Sequence, residues 1–317
     1  PLWLKIQKEE IQMRNLKRAL SLALAAIMLI GMMVVSASAA SYNDLTDKDQ
    51  IVNKDAVSML VSLGIIEGKP DGSYAPTENV DRAQMAKMLS VIMNKGVDNS
   101  ALYQSVNSGL TDITSNWAKG HINYCYTTGI IAGRGNGTFD PSATVTALEA
   151  AKMLLVAVGY DPAIEGFEGA DWAINVSVRA DEQGIFEGFT KDLSAPLNRD
   201  DAALLIYNAL DVEMIQSYTT NNYPIAYSDH RTILADKYGV IKVQGVVVAN
   251  EWASLASDDG DAALKEGKTT IYNGEGIFST TGNTTVSKED ASLKTQTFNV
   301  STPVDMLGKT VNLYIKK

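Results

Sequence analysis

The sequence predicts an α+β, multidomain chain: a helical unit of three helix-turn-helix repeats, followed by a β-rich domain. Three observations carry this. A Gly-Ile-apolar-x-Gly segment occurs three times, as Gly64-Ile65-Ile66-Glu67-Gly68, Gly129-Ile130-Ile131-Ala132-Gly133 and Gly184-Ile185-Phe186-Glu187-Gly188. Apolar residues at three- and four-residue steps precede or follow these segments, as amphipathic helices require. Beyond residue 237 the texture changes to valine- and threonine-rich runs broken by Gly, Asn and Ser, the pattern of strands and turns.

Each repeat reads as helix, turn, helix. In the first, Val52, Ala56, Val57, Leu60 and Leu63 share a face, and Gly64 closes the helix. Asp71-Gly72-Ser73-Tyr74-Ala75-Pro76 then matches Asn136-Gly137-Thr138-Phe139-Asp140-Pro141 at the same offset, and Pro196 keeps that offset in the third copy, where residues 189–195 have diverged. The Asp-Gly and Asn-Gly pairs are tight-turn dipeptides. The second helix opens at Asp81, Thr146 or Asn198. Asp81 with Gln84, and Thr146 with Glu149, have the spacing at which two side chains cap each other's free amides. Val80, Ala83, Ala86, Leu89 and Met93 line its apolar face. One such pair cannot bury its stripe alone, whereas three around a shared axis can. The repeats fall at 40–100, 101–160 and 161–217, a polar linker at 218–236 and the β-rich domain at 237–317. Ile233–Tyr238 reads as a short helix, and strands are expected over 240–248, 269–272, 295–300 and 310–315.

Composition narrows the function. The 317 residues are 45% hydrophobic and 20% charged, enough for two domains with cores and too apolar for general disorder. A net charge of −10 argues against nucleic acid as a partner. One cysteine, Cys125, forms no internal disulfide and no Cys-rich zinc module, and His121 and His230 leave little room for a histidine-based site. Asp258-Asp259-Gly260-Asp261 lacks the spacing and the twelfth-position glutamate of a calcium loop. No Ser-His-Asp, Cys-His or paired-carboxylate arrangement can be picked out. No cofactor, metal or catalytic residue is expected.

Met13 is followed by Arg14, Lys17 and Arg18, an apolar run over 19–35, and Ala37-Ser38-Ala39. That order is a secretory signal peptide with cleavage expected after Ala39, and the run is short for a membrane span. Residues 1–12 read as upstream extension. The start without methionine, and the stop two residues after an expected strand, read as a fragment of a longer chain.

At its repeat motifs the sequence resembles the S-layer homology family, in three tandem copies over about residues 42–215. The residues that carry this are Tyr42-Asn43-Asp44 and Leu110-Thr111-Asp112 at copy starts, Trp117-Ala118 and Trp172-Ala173, the glycine segments, the turns and the helix openings. The resemblance implies a pseudo-threefold helical domain that binds secondary polysaccharide linked to Gram-positive peptidoglycan, polymers that often carry acidic pyruvate ketals. An exported surface protein held non-covalently on the wall, and capable of assembling into a surface layer, is the function it implies. The alternative is an exported carbohydrate-active enzyme using the same anchor, with its catalytic domain beyond residue 317. The region after the repeats resembles, diffusely, that of clostridial surface proteins.

The family's best-known ligand contact is the arginine opening the second helix. Arg82 and Arg199 match it, and copy two has Ala147 instead, so its groove is expected to be weak. An arginine fork at a helix N-terminus suits a carboxylate, but the same residues could form surface pairs with Asp200, Asp201 or Glu78. Trp117 and Trp172 stand at equal offsets, with Val52 in the first copy, and could stack on a sugar or pin a helix. Gly68, Gly133 and Gly188 allow close approach of a ligand or serve as turn glycines. His121 and Cys125, one turn apart, read as core.

Overall fold

Six helices form three sequential pairs: α1 (Lys54–Ser62) with α2 (Arg82–Met93), α3 (Lys119–Thr127) with α4 (Ala147–Val158), and α5 (Trp172–Glu182) with α6 (Arg199–Ala209). The computed structural model describes residues 41–255, 263–274 and 294–316. The expected signal peptide and the acidic turn at 258–261 lie outside the described residues. Each first helix ends at a glycine in the left-handed region, Gly64 (φ 70°), Gly129 (φ 79°) and Gly184 (φ 70°), where a Cβ would be strained. Each second helix begins at a capping side chain: Asp81, Thr146 and Asn198 accept from the amides of Gln84, Glu149 and Asp201. The first two caps are reciprocal, as their spacing predicts.

The pairs close on one another. α2 packs on α3, α4 on α5, and α6 returns to α1, so each second helix meets the first helix of the next copy. At the centre, three backbone bonds run in a ring. The Val80 amide donates to the Leu197 carbonyl (2.8 Å), the Leu197 amide to Val145 (2.7 Å) and the Val145 amide to Val80 (2.9 Å). All three residues are buried. Amides that a helix start leaves unpaired are taken by the turn of a neighbour: Arg82 donates to Ala143, Leu148 to Leu193 and Arg199 to Glu78. The closing seam adds the buried Asp200 carboxylate, which accepts from the Asn53 amide (3.2 Å) and side chain (3.0 Å). One apolar core runs through all three pairs, with Tyr74, Phe139 and Phe167 among its largest fully buried side chains. Each such side chain contributes roughly 1.5–3 kcal/mol by leaving water.

The stretch 218–236 is not a linker. It continues the hairpin of β1 (Ile215–Tyr218) and β2 (Pro224–Ala226) and carries most of α7 (Ile233–Tyr238). Ile233 and Leu234 are buried in the helical core, and Thr232 caps their helix. The Tyr218 hydroxyl donates to Glu165 (3.0 Å) and accepts from the Asp161 amide (2.9 Å). The short helix expected over Ile233–Tyr238 is present; its docking on the helical core is what the polar composition did not show.

Beyond α7, β3 (Val240–Asn250), β4 (Thr269–Tyr272), β5 (Thr295–Phe298) and β6 (Thr310–Lys316) form an antiparallel sheet in the order β5-β4-β3-β6. These strands lie where the valine- and threonine-rich runs place them. Val243, Val247 and Ile271 make a small separate core. The sheet is fastened directly to the helices: Val240 joins the helical core, Lys242 pairs with Asp211 (2.8 Å), and the hydroxyls of Tyr207 and Tyr314 hydrogen-bond.

Candidate functional site

Arg82 stands at the first position of α2, yet its side chain belongs to the next copy. Its Nε donates to the Phe139 carbonyl (2.8 Å) and its Nη2 to that of Ala132 (2.9 Å), with the guanidinium 4.3 Å from the centre of the Phe139 ring. Arg199 of copy three repeats this on copy one: Nε to the Tyr74 carbonyl (2.7 Å), Nη2 to that of Glu67 (3.2 Å), 4.8 Å from the Tyr74 ring. Each arginine ties a Gly-Ile segment to the turn that follows it. Arg82 is only 4% exposed, and burial, with Arg134 nearby, pulls its pKa down to about 10; it stays cationic at neutral pH. The surface pairs considered from sequence are replaced: Asp201 pairs with Lys191, Glu78 with Lys69, and Asp200 holds Asn53.

Two grooves result, of about 540 and 280 Å³. The larger is built from residues 130–135, Glu149, Lys152 and Met153 of copy two, Trp172 of copy three and Arg82 of copy one. The smaller has residues 65–70, Gln84, Lys87 and Met88 of copy one, Trp117 of copy two and Arg199 of copy three. These positions correspond between the copies; in addition Phe167, Glu168 and Gly169 line only the larger groove, and Tyr74 and Val80 only the smaller. Each groove takes its loop from one copy, its tryptophan from the following copy and its arginine from the preceding one, because the helix packing is cyclic.

That rule relocates a weakness read from sequence. Ala147 does not impoverish the groove of copy two, which Arg82 supplies. Its loss falls on the loop of copy three. There Val52 holds the tryptophan position, 82% exposed, and Asp201 and Leu204 stand where the other copies have Gln84 or Glu149 and a lysine.

Trp117 is 58% exposed, a free aromatic face on the smaller groove; Trp172 is half-buried, with the Lys152 ammonium 5.8 Å from its ring. The groove cations are balanced by neighbouring acids: Lys87 by Glu67 (3.4 Å), Arg134 by Glu149 (3.1 Å) and Asp140 (3.7 Å). Gly68 and Gly133 line the grooves, but their close approach is to their own turns. A Cβ on Gly133 would lie 2.8 Å from the Thr138 carbonyl, and one on Gly68 3.3 Å from that of Ser73. Gly188 lines neither groove; its φ of 77° makes it a backbone requirement.

Sequence reading missed one support. The carboxylate of Asp112 accepts from the amides of Phe139 (2.9 Å) and Asp140 (2.7 Å), and Asp47 does the same for Tyr74 and Ala75 (both 2.7 Å). Although burial works against it, those amides hold Asp112 below the usual carboxylate range. The counterpart of Leu110-Thr111-Asp112 is therefore Leu45-Thr46-Asp47; Asp44 instead accepts from the Ser41 amide. The constant offset between copies one and two was the signal. His121 and Cys125 are buried, Cys125 beside the Ala86 carbonyl (3.4 Å), and burial pushes the Cys125 thiol up.

Each groove therefore presents a tryptophan face, backbone groups of its loop and charged side chains to solvent. The family model described as S-layer homology domain matches residues 41–86 and 109–151. The chain is 26% identical over 270 residues to a "Cell surface protein" of Thermoanaerobacter kivui, covering 84% of this chain and 32% of that protein. It is 26% identical over 300 residues to "Middle cell wall protein" of Brevibacillus brevis, covering 93% and 27%. Over 186 residues it is 30% identical to "Amylopullulanase" of Thermoanaerobacterium thermosulfurigenes, covering 54% and 10%. The chain thus spans a third or less of the length of these relatives.

Proposed function

We propose that the chain, which matches the S-layer homology domain model twice, is a protein of the cell surface, and that its three helix pairs act as one pseudo-threefold unit anchoring it non-covalently to peptidoglycan-linked secondary polysaccharide. The third pair, outside the residues the family model matches, is a diverged copy in this reading. The observation that carries it is the pair of grooves that share corresponding arginine, tryptophan, lysine and loop positions, each assembled from all three copies. The closed ring of Val80, Val145 and Leu197 supports the threefold arrangement.

The chemistry is coherent. An acidic protein that holds an acidic polymer must concentrate cations where the ligand carboxylate sits, and Arg82, Arg134 and Lys152 converge on one groove, Arg199, Lys69 and Lys87 on the other. Tryptophan faces take the apolar face of a sugar, and loop carbonyls and amides take its hydroxyls. The β-rich part, clamped to the ring, projects whatever the anchor carries; assembly into a surface layer belongs to this same proposal. Co-sedimentation of the chain with purified walls tests it. Binding is expected to intact walls and to fall away once the secondary polymer is extracted; equal binding to bare peptidoglycan overturns it.

A second reading, an exported carbohydrate-active enzyme using the unit as its anchor, is favoured by the similarity to the amylopullulanase. Sequencing the gene beyond the codon for Lys317 decides between them: a polysaccharide hydrolase domain supports the second, further β-rich modules the first.

A further inference from the structure

His121 lies on α3 and is 3% exposed. Its Nδ1 is 2.6 Å from the Ser90 hydroxyl of α2, which is itself 2.9 Å from the Lys87 carbonyl; its Nε2 faces Asp98 at 3.6 Å. A serine hydroxyl has one hydrogen to give. When the ring is neutral with its hydrogen on Nε2 toward Asp98, Ser90 donates to Nδ1. When the ring is charged, Nδ1 donates to Ser90, whose hydrogen turns to the Lys87 carbonyl. The Nδ1–Ser90 hydrogen bond thus survives in both states, and Nε2 stays within ion-pair distance of Asp98. Charging a buried histidine ordinarily strands a donor; this site accommodates the proton by rotating one hydroxyl.

The ring also touches the smaller groove. The His121 and Trp117 rings meet edge to face, centroids 6.3 Å apart at 65°, and Trp117 forms the groove wall. The matching position behind Trp172 is Val176, and behind Val52 it is Ala56. Of the three positions, one titrates.

We propose that His121 is a positioning residue that makes the smaller groove respond to pH: its protonation sets a positive charge beside the Trp117 indole, which it meets edge to face, and tightens the groove on an anionic saccharide. This rests on the polysaccharide reading above. The charged groups acting on the ring are Asp98, from the segment after α2, which favours the proton, and Lys87, from α2, which opposes it. Burial outweighs Asp98 and lowers the pKa below the ordinary imidazole value, so the change falls on the acid side of neutrality.

The test follows the imidazole and indole resonances of the full chain by NMR from ~pH 4.5 to ~8. The expected result is a His121 midpoint below about 6.5, with the Trp117 indole moving at that same midpoint and the Trp172 indole unmoved by it. Ser90→Ala is expected to lower the midpoint further, since the Nδ1 hydrogen loses its acceptor, and His121→Gln to abolish the Trp117 movement. A Trp117 signal that ignores the His121 titration overturns the proposal, as does a His121 that stays in one form until the protein unfolds. These outcomes need no ligand, so they stand whether or not the polysaccharide reading survives. With purified wall polymer, affinity should rise about two- to fivefold from ~pH 7.5 to ~5.5 in the parent and stay flat in folded His121→Gln. Equal parental affinity at both values overturns the coupling, whereas no binding at any pH overturns the polysaccharide reading alone.

Discussion

Arg82 and Phe139 are 57 residues apart, in different copies, and the Arg82 Nε donates at 2.8 Å to the Phe139 carbonyl while its guanidinium lies 4.3 Å from the centre of that ring. The residue expected to grip the ligand is therefore first a strut that shapes the groove. Binding and stability are coupled at this position.

Arg82→Ala should cost about 2–4 kcal/mol of stability, because two carbonyls lose charge-assisted bonds in a dry site. Arg199→Ala, half-buried, should cost less. Urea unfolding measures this, and calorimetry with wall polymer on variants shown to be folded should find each weakened and the double variant nearly silent. Arg82→Lys is expected to restore charge without the fork and to recover only part of either property. A folded double variant that binds like the parent would show that the arginines serve the scaffold alone.

Ala147→Arg should not create a third functional groove. Ala147 is fully buried, and in copy three Ser194 stands at the position where Tyr74 and Phe139 supply the ring against which Arg199 and Arg82 lie. Overpacking there should destabilise by about 1–3 kcal/mol while leaving affinity at the two equipped grooves unchanged. Thermal unfolding and calorimetry on the same sample read both effects.

The two tryptophans should separate. Trp117→Ala, at an exposed position, is expected to shift the unfolding midpoint little and to weaken binding at the smaller groove by about tenfold, a stacking contribution near 1.4 kcal/mol. Trp172→Ala should lower both stability and affinity, since that ring is also packed on the core. Equal stability loss in both variants would contradict their different exposure.

Acid should destabilise the domain in two steps. The folded pKa of His121 is lowered, so its contribution is fully present above about pH 6.5, the unfolded value, and is lost as pH falls through the folded value. Asp112 is lowered as well, so its contribution is complete above the ordinary carboxylate range and is lost below it. Denaturant unfolding at a series of pH values should show both slopes; His121→Gln should flatten the upper one and Asp112→Asn the lower one.

Leu234→Ala should destabilise the helical unit by about 2–5 kcal/mol although it lies outside the three repeats. The side chain is 1% exposed and belongs to the helical core. A chain ending at residue 217 is accordingly expected to melt lower than one ending at residue 240, which calorimetry can establish.

The sequence by itself determined the local structure of this protein. Helix starts at Asp81 and Thr146, helix ends at Gly64, Gly129 and Gly184, the turns and four sheet strands were all legible, because caps, left-handed glycines and alternation act over a few residues. The repeat of Gly-Ile-Ile-x-Gly likewise showed which residues occupy equal positions. What tertiary structure alone decided is which copy serves which groove. Arg82 and Ala147 look like residues of copies one and two, yet packing hands their positions to the loops of copies two and three, since each second helix leans on the next copy's first. The segment after the repeats shows the same limit: its helix over Ile233–Tyr238 was legible, its docking on the repeats was not. Only the packed fold shows that Ile233 and Leu234 are buried with the three helix pairs, because burial depends on neighbours distant in sequence.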